Sequence, residues 1–176
     1  MDVEYWMDQH GVLYDANQSF HLFAQDNEHP TYDPKQWIGK NLLDVIHGDR
    51  TRLLHDALIL KARLHSTPVE LSFRCDSPTS ARYLRMVIVA QPNLHIHFRI
   101  HTDKEQAYPQ PVFFEYEASA SVPRCDVCNR MEVEGTWIDP LDMASVSKDP
   151  DLIWKVCHSL CSDCDQHFTH LVISES

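Results

Sequence analysis

The chain has 176 residues, 43% of them hydrophobic and 23% charged, which is enough apolar material for one or two small domains with cores of their own. Its formal net charge is -11 and no run of Lys or Arg occurs, which speaks against a free-standing nucleic-acid binder, since such proteins neutralise phosphates with a basic face. No apolar stretch approaches the ~20 residues that span a bilayer, and the opening MDVEYWMDQHG has neither the basic nor the apolar region of a signal peptide. A cytoplasmic protein without membrane association is expected, in a compartment where paired cysteines bind metal more often than they form disulfides.

Residues 12–14 read as a short strand and residues 15–18 as a turn, followed by a helical segment with Phe20, Phe23 and Ala24 at helical spacing. HPTYDPKQ carries two prolines and reads as loop. WIGKNLLDVIHGDRTRLLHDALILKARL predicts helix in two pieces, broken near Gly48, with Leu54, Ala57, Leu58 and Leu64 as an apolar stripe. The period then changes to two. VELSFRC, ARYLRMVIVAQP and NLHIHFRIH are three consecutive strands, joined tightly enough to form an antiparallel meander. Residues 103–124 shift in composition, with three prolines, and read as a connection that is partly extended over 112–116. RMEVEGTWID suggests a hairpin around Gly135. DPLDMASVS and DPDLIWKVCHSL each predict a helix start, capped by Asp139 and by Asp149 or Asp151.

The densest chemistry lies near the end of the chain. Cys125-Asp-Val-Cys128 and Cys161-Ser-Asp-Cys164 are two C-x-x-C knuckles separated by a longer insert, the usual arrangement of a four-thiolate zinc site. A two-residue spacer lets both sulfurs of a knuckle converge on one ion, and two knuckles complete a tetrahedron with no open position, so the Zn2+ expected here is structural. Cys157 and His158 are left over. Either can substitute for a ligand, or His158 can donate to a ligating sulfur from behind. An iron–sulfur cluster is the alternative for the same thiolates. His167 and His170 read as surface residues.

The order of the first hundred residues, DQHGVLYDANQSFHLFA, then WIGKNLLDVI, then a helix and three strands, resembles a PAS domain over about residues 5–102. Gly11, Val12 and Leu13 fall on its opening strand and Asn17 on the start of its next helix. The resemblance implies an α+β fold, an antiparallel sheet with flanking helices, and a role in sensing or dimerisation rather than catalysis. Such domains hold haem, flavin, a small metabolite or nothing in a cavity between sheet and helices, and the sequence assigns no ligand to that cavity. The cysteine motif of the photoreactive flavin-binding variant is missing, and Cys75 reads as a small buried residue on a strand. His47 and His55, where haem-binding PAS domains place an axial ligand, are flanked by polar residues and read as surface positions, and His21 is a similar case. His95, His97 and His101, with Arg99, share one face of a strand. They read as a polar outer face covered by a dimer partner or by an N-terminal helix in VEYWMD, built on Tyr5, Trp6 and Met7. The cysteine region resembles a segment that follows sensor domains in some bacterial signalling proteins. Cys125, Cys128, Arg130, Trp137, His158, Leu160, Cys161 and Cys164 fall on that pattern, with Ser159 in place of its glycine.

The expected organisation is a PAS-like sensor domain over 1–102, a linker over 103–124 and a Cys-rich zinc-binding module over 125–176. No Ser-His-Asp constellation, phosphate-binding glycine loop or paired carboxylates occur, so no catalytic residue is assigned and no enzyme is expected. The expected function is signal transduction through protein–protein interaction, with a homodimer and a signalling or regulatory partner. The alternative is a thiol-based redox or metal sensor with Cys157 as resolving thiol. A third reading is a hydrolase using an open zinc site near His158, His167 and His170.

Overall fold

The computed structural model describes residues 2–27, 36–146 and 152–174. The loop expected over 29–36 falls, except for Gln36, outside the described residues, as do Asp149 and Asp151. The fold is α+β, with two five-stranded sheets among the described residues.

The first sheet is antiparallel throughout. Its strands are β1 (Asp2–Met7), β2 (Leu13–Ala16), β3 (Val69–Arg74), β4 (Ser80–Ala90) and β5 (Ile96–Ala107), in the spatial order β2-β1-β5-β4-β3. The sheet is antiparallel as expected, and β3, β4 and β5 form the expected meander within it. β1 corrects one expectation. VEYWMD is a central strand rather than a helix, because Val3, Tyr5 and Met7 alternate into the core while Asp2, Glu4 and Trp6 face outward. It pairs with β5 from Asp2 opposite His101 to Met7 opposite Ile96. The histidines of β5 thereby find side-chain partners on the neighbouring strand. His97 bonds Glu4 at 2.6 Å and stacks on Trp6, and His101 bonds Asp2 at 2.7 Å.

Helices α1 (Gln18–Asn27), α2 (Leu42–Val45) and α3 (Asp49–His65) lie between β2 and β3 in the chain. Asn17 starts α1, its Oδ1 accepting from the Phe20 amide at 2.9 Å. Asn41 caps α2 by accepting from the Leu43 amide at 3.0 Å, and its Nδ2 donates to the His10 carbonyl. Gly11 must be glycine for two reasons: its φ is +85°, and a Cβ there would stand 2.8 Å from Asn41 Nδ2. The buried face of α3 runs through Leu54, Leu58, Ile59 and Ala62. Leu64, expected in that stripe, points to solvent, because the sheet meets the helix along the 54–58–62 row.

The second sheet comprises β6 (Phe113–Tyr116), β7 (Pro123–Cys125), β8 (Met131–Val133), β9 (Thr136–Ile138) and β10 (Ile153–Ser159), in the order β6-β10-β7-β8-β9. β8 and β9 form the expected hairpin, with positive φ at Glu134 and Gly135 in its turn. Residues 153–159 were expected to be helical and are a strand instead. β10 runs parallel to both neighbours and takes ladder bonds from β6 on one side and β7 on the other. No periodicity within the segment itself announces those distant partners. Within 103–124, β5 continues to Ala107, β6 lies as a short strand and β7 begins at Pro123. Asp139 Oδ1 accepts from the Leu141 amide at the start of α4 (Pro140–Val146), and α5 (Ser162–Ile173) closes the described chain.

The two sheets share one hydrophobic cluster, which runs from Met7, Phe98 and Ile88 through Leu54 and Leu58 to Cys125, Val127, Cys161 and Phe168. Polar clamps reinforce it. The Arg74 amide donates to the Val127 carbonyl at 2.7 Å. The Arg74 guanidinium bonds Asp76 at 2.7 Å and Asp139 at 2.6 Å, inside the protein. Arg50 pairs with Asp165, and Lys61 Nζ donates to the Leu171 and Ser174 carbonyls at the end of α5.

Candidate metal centre and the cavity beside it

Cys125 ends β7. The chain then reverses through a tight turn in which Asn129 takes φ +61°, its amide donating to the Cys125 carbonyl at 2.9 Å while the Cys125 amide donates to the Arg130 carbonyl at 2.8 Å. This turn brings Cys128 back beside Cys125. The second knuckle is made differently. Cys161 caps the N-terminus of α5 and Cys164 lies in its first turn, so the positive end of the helix faces the sulfurs. The Cys161 amide also donates to Cys125 Sγ at 3.4 Å.

Cys125, Cys128, Cys161 and Cys164 offer four sulfurs that all lie within 4.8 Å of one another. Cys128 and Cys161 Sγ are 3.7 Å apart. A tetrahedron with metal–sulfur bonds of ~2.3 Å has edges of about 3.8 Å. The set therefore fits one four-coordinate ion, whereas a multi-iron cluster would need sulfurs spread around several metals. Four thiolates around a divalent ion carry surplus negative charge, and the protein supplies a cation to meet it. Arg130 donates from Nε to Cys128 Sγ at 3.2 Å and from Nη2 to Cys161 Sγ at 3.3 Å, and Asp163 holds it in place at 2.9 Å. Without an ion the same sulfurs share protons. Hydrogen bonds from Cys125 and Cys164 hold the Cys128 thiol well below its ordinary pKa. Those bonds in turn raise Cys125 to about 11 and push Cys164 up.

The two leftover residues are not in this cluster. Cys157 lies within β10, its amide bonded to the Val122 carbonyl. His158 is stacked between Tyr116, at 4.1 Å, and His47, at 5.2 Å, and its Nδ1 bonds Asp126 Oδ1 at 2.7 Å. The cation behind the sulfurs is Arg130, which the sequence pattern contained without a role attached. His167 and His170 are exposed on α5, as expected.

Beside the thiolates lies a cavity of about 470 Å³ between the first sheet, α1 to α3 and the cysteine turn. Its apolar wall includes Tyr5, Leu13, Leu42, Leu71, Met86 and Phe168. Arg124, Asp126, Val127 and Asn129, which flank or fill the first knuckle, form another part of its lining. Contact there is close: a Cβ on Gly48 would stand 2.5 Å from Asp126 Oδ2, and Thr51 donates to that same oxygen at 2.8 Å. His47, before α3, is exposed as expected and stands at the edge of the cavity, whereas His55 on α3, expected at the surface, is partly buried against Phe168 of α5 and lines the cavity. His55 bonds the Thr51 carbonyl at 2.9 Å, and burial lowers its pKa. Cys75 also lines the cavity, where burial pushes its thiol up to about 11 and makes it unreactive.

No family model matches the chain, and no curated protein matches it. Among solved structures it is similar to a sensory box sensor histidine kinase from Vibrio cholerae, with 12% identity and a TM-score of 0.43 over 60% of this chain and 84% of that one. A domain of an HTR-like protein from Haloarcula marismortui is similar at 11% identity and a TM-score of 0.39, over 58% of this chain and 98% of that one. Among the described residues no helix is long and apolar enough to cross a membrane.

Proposed function

We propose that this chain is a PAS-type cytoplasmic sensor protein that works by binding rather than by catalysis, with one structural Zn2+ held by Cys125, Cys128, Cys161 and Cys164. Zinc suits a compact four-sulfur set with no open position, a donor shell that leaves no place for an activated water. The observation that carries the sensor reading is the shared wall. The residues on either side of Cys125 and Cys128 line the cavity, so the bound ion fixes the shape of the chamber a ligand enters. A ligand that alters the seating of α3 on β7 and α5 alters the surface shown to other proteins. Those partners are a second copy of the chain and a signalling or regulatory protein. The outer side of α3 supports this, since it leaves Leu53, Leu60 and Leu64 exposed along one stripe.

Thermal-shift screening of the zinc-loaded chain against small amphipathic metabolites, with recovery of each compound afterwards, tests the reading. A ligand at a hundred times its Kd stabilises by about 2.7 kcal/mol, a Tm rise of roughly 5–11 °C for a chain of this length. The compound is expected back unchanged. A compound converted to product contradicts the reading, as does a chain that none of them stabilises.

A further inference from the structure

Among the described residues, three buried side-chain atoms lack a hydrogen-bond partner: Trp37 Nε1, Arg99 Nε and Arg124 Nε. All three are donors, and Trp37 and Arg124 line the cavity. Arg124 is the more telling. It is 7% exposed and cannot lose its charge, yet among the described residues no carboxylate pairs with it. Phe114 stacks on the guanidinium at 3.8 Å and Tyr116 lies 5.8 Å from it, which shields its faces. Nη1 donates to the Tyr116 hydroxyl at 2.6 Å. The Nε edge remains, and that edge matches a carboxylate side-on, with Nε and Nη2 as the two donors.

The neighbouring acids are already committed. Asp76 is held by Arg74 and by the Tyr108 hydroxyl, and Asp126 by Thr51 and His158. Both nonetheless line the cavity, so a guest bearing two negative charges meets about twice the repulsion of a singly charged one. Most of the remaining lining is apolar, and the volume suits a small organic molecule.

We propose that the cavity takes an amphiphile with a single carboxylate head and an apolar body, the head seated on the Nε edge of Arg124. This rests on the reading of the cavity as the ligand chamber and names the class of ligand. It also places the ligand's charge on the residue directly before Cys125, so that recognition and the thiolate cluster share one strand, β7.

Calorimetric titration of the full zinc-loaded chain with n-octanoate and n-decanoate, each beside the alcohol of equal length, tests it. Each acid is expected to bind roughly tenfold to a hundredfold more tightly than its alcohol, the effect of a charge-assisted bidentate contact. Arg124→Met should erase that difference at unchanged zinc content, the acid falling to the affinity of its alcohol. Acid and alcohol binding equally overturns the carboxylate proposal but leaves the chamber intact as a ligand site. Neither acid nor alcohol binding overturns both. n-Decylamine gives a check that needs no variant: Arg124 should make it a weaker ligand than decanol, and tighter binding of the amine, through Asp126 or Asp76, overturns the proposal.

Discussion

Phe168→Ala separates a single cooperative unit from two loosely joined ones. Phe168 sits on α5, fully buried, with its ring 5.7 Å from that of His55 on α3. It belongs to the cluster that also holds Leu54, Leu58, Val127 and Cys161. Truncating a buried phenylalanine costs about 3–5 kcal/mol. Phe168 also borders the cavity, so the deleted ring enlarges a space that already exists and the surroundings have little to collapse onto. At 2–4 °C per kcal/mol for a chain of this size, the Tm should fall by roughly 6–20 °C. Because the cluster is continuous, differential scanning calorimetry of the zinc-loaded variant should show the whole transition displaced as one peak. Two peaks, with the first sheet melting at its original temperature, would refute the shared core. So would a shift under about 2 °C, which would show that α5 does not pack on α3.

Three further outcomes follow from the same geometry. Arg74→Met leaves Asp76 buried without its cation and should cost about 3–5 kcal/mol in urea unfolding, while a double change that also removes Asp76 should recover part of that loss. Arg130→Gln removes the cation behind Cys128 and Cys161 and should weaken metal retention by roughly tenfold to a hundredfold in chelator competition, with the fold intact at saturating metal. His55 has a folded-state pKa lowered by burial, so the unfolded chain takes up its proton first. Its contribution is complete above its unfolded pKa of about 6.5 and is lost as pH falls below that value, with a slope of at most about 1.4 kcal/mol per pH unit. Urea unfolding with metal content monitored should therefore show His55→Gln flattening that part of the profile, and an unchanged slope counts against the buried placement.

How much of this was legible beforehand differs between elements for physical reasons. β3, β4 and β5 announce themselves because each alternates and their partners are the next segments in the chain, so local pattern and local pairing agree. The two knuckles are equally plain, since the chemistry fixes their spacing. β1 carried its own signal in Val3, Tyr5 and Met7, but only six residues long and beside Trp6 it also read as an amphipathic turn of helix. β10 is different. Its strand state depends on β6, some forty residues earlier, and on β7, so no local window contains the cause. The cavity wall was hidden for the same reason. That Asp126 reaches Thr51 and packs against Gly48 is a contact across about 75 positions, and contacts of that kind, with Phe168 against His55, turn His55 from an expected surface residue into lining. Arg130 was visible as a position but not as a partner, because its role follows from the two sulfurs it spans.

Native mass spectrometry of the full chain, purified without added metal and paired with elemental analysis, tests the central claim most directly. The account predicts one zinc per chain, released only with unfolding of the segment that carries Cys125 to Cys164. Iron in its place, or a folded chain with no metal and the four thiols freely alkylated, would contradict it.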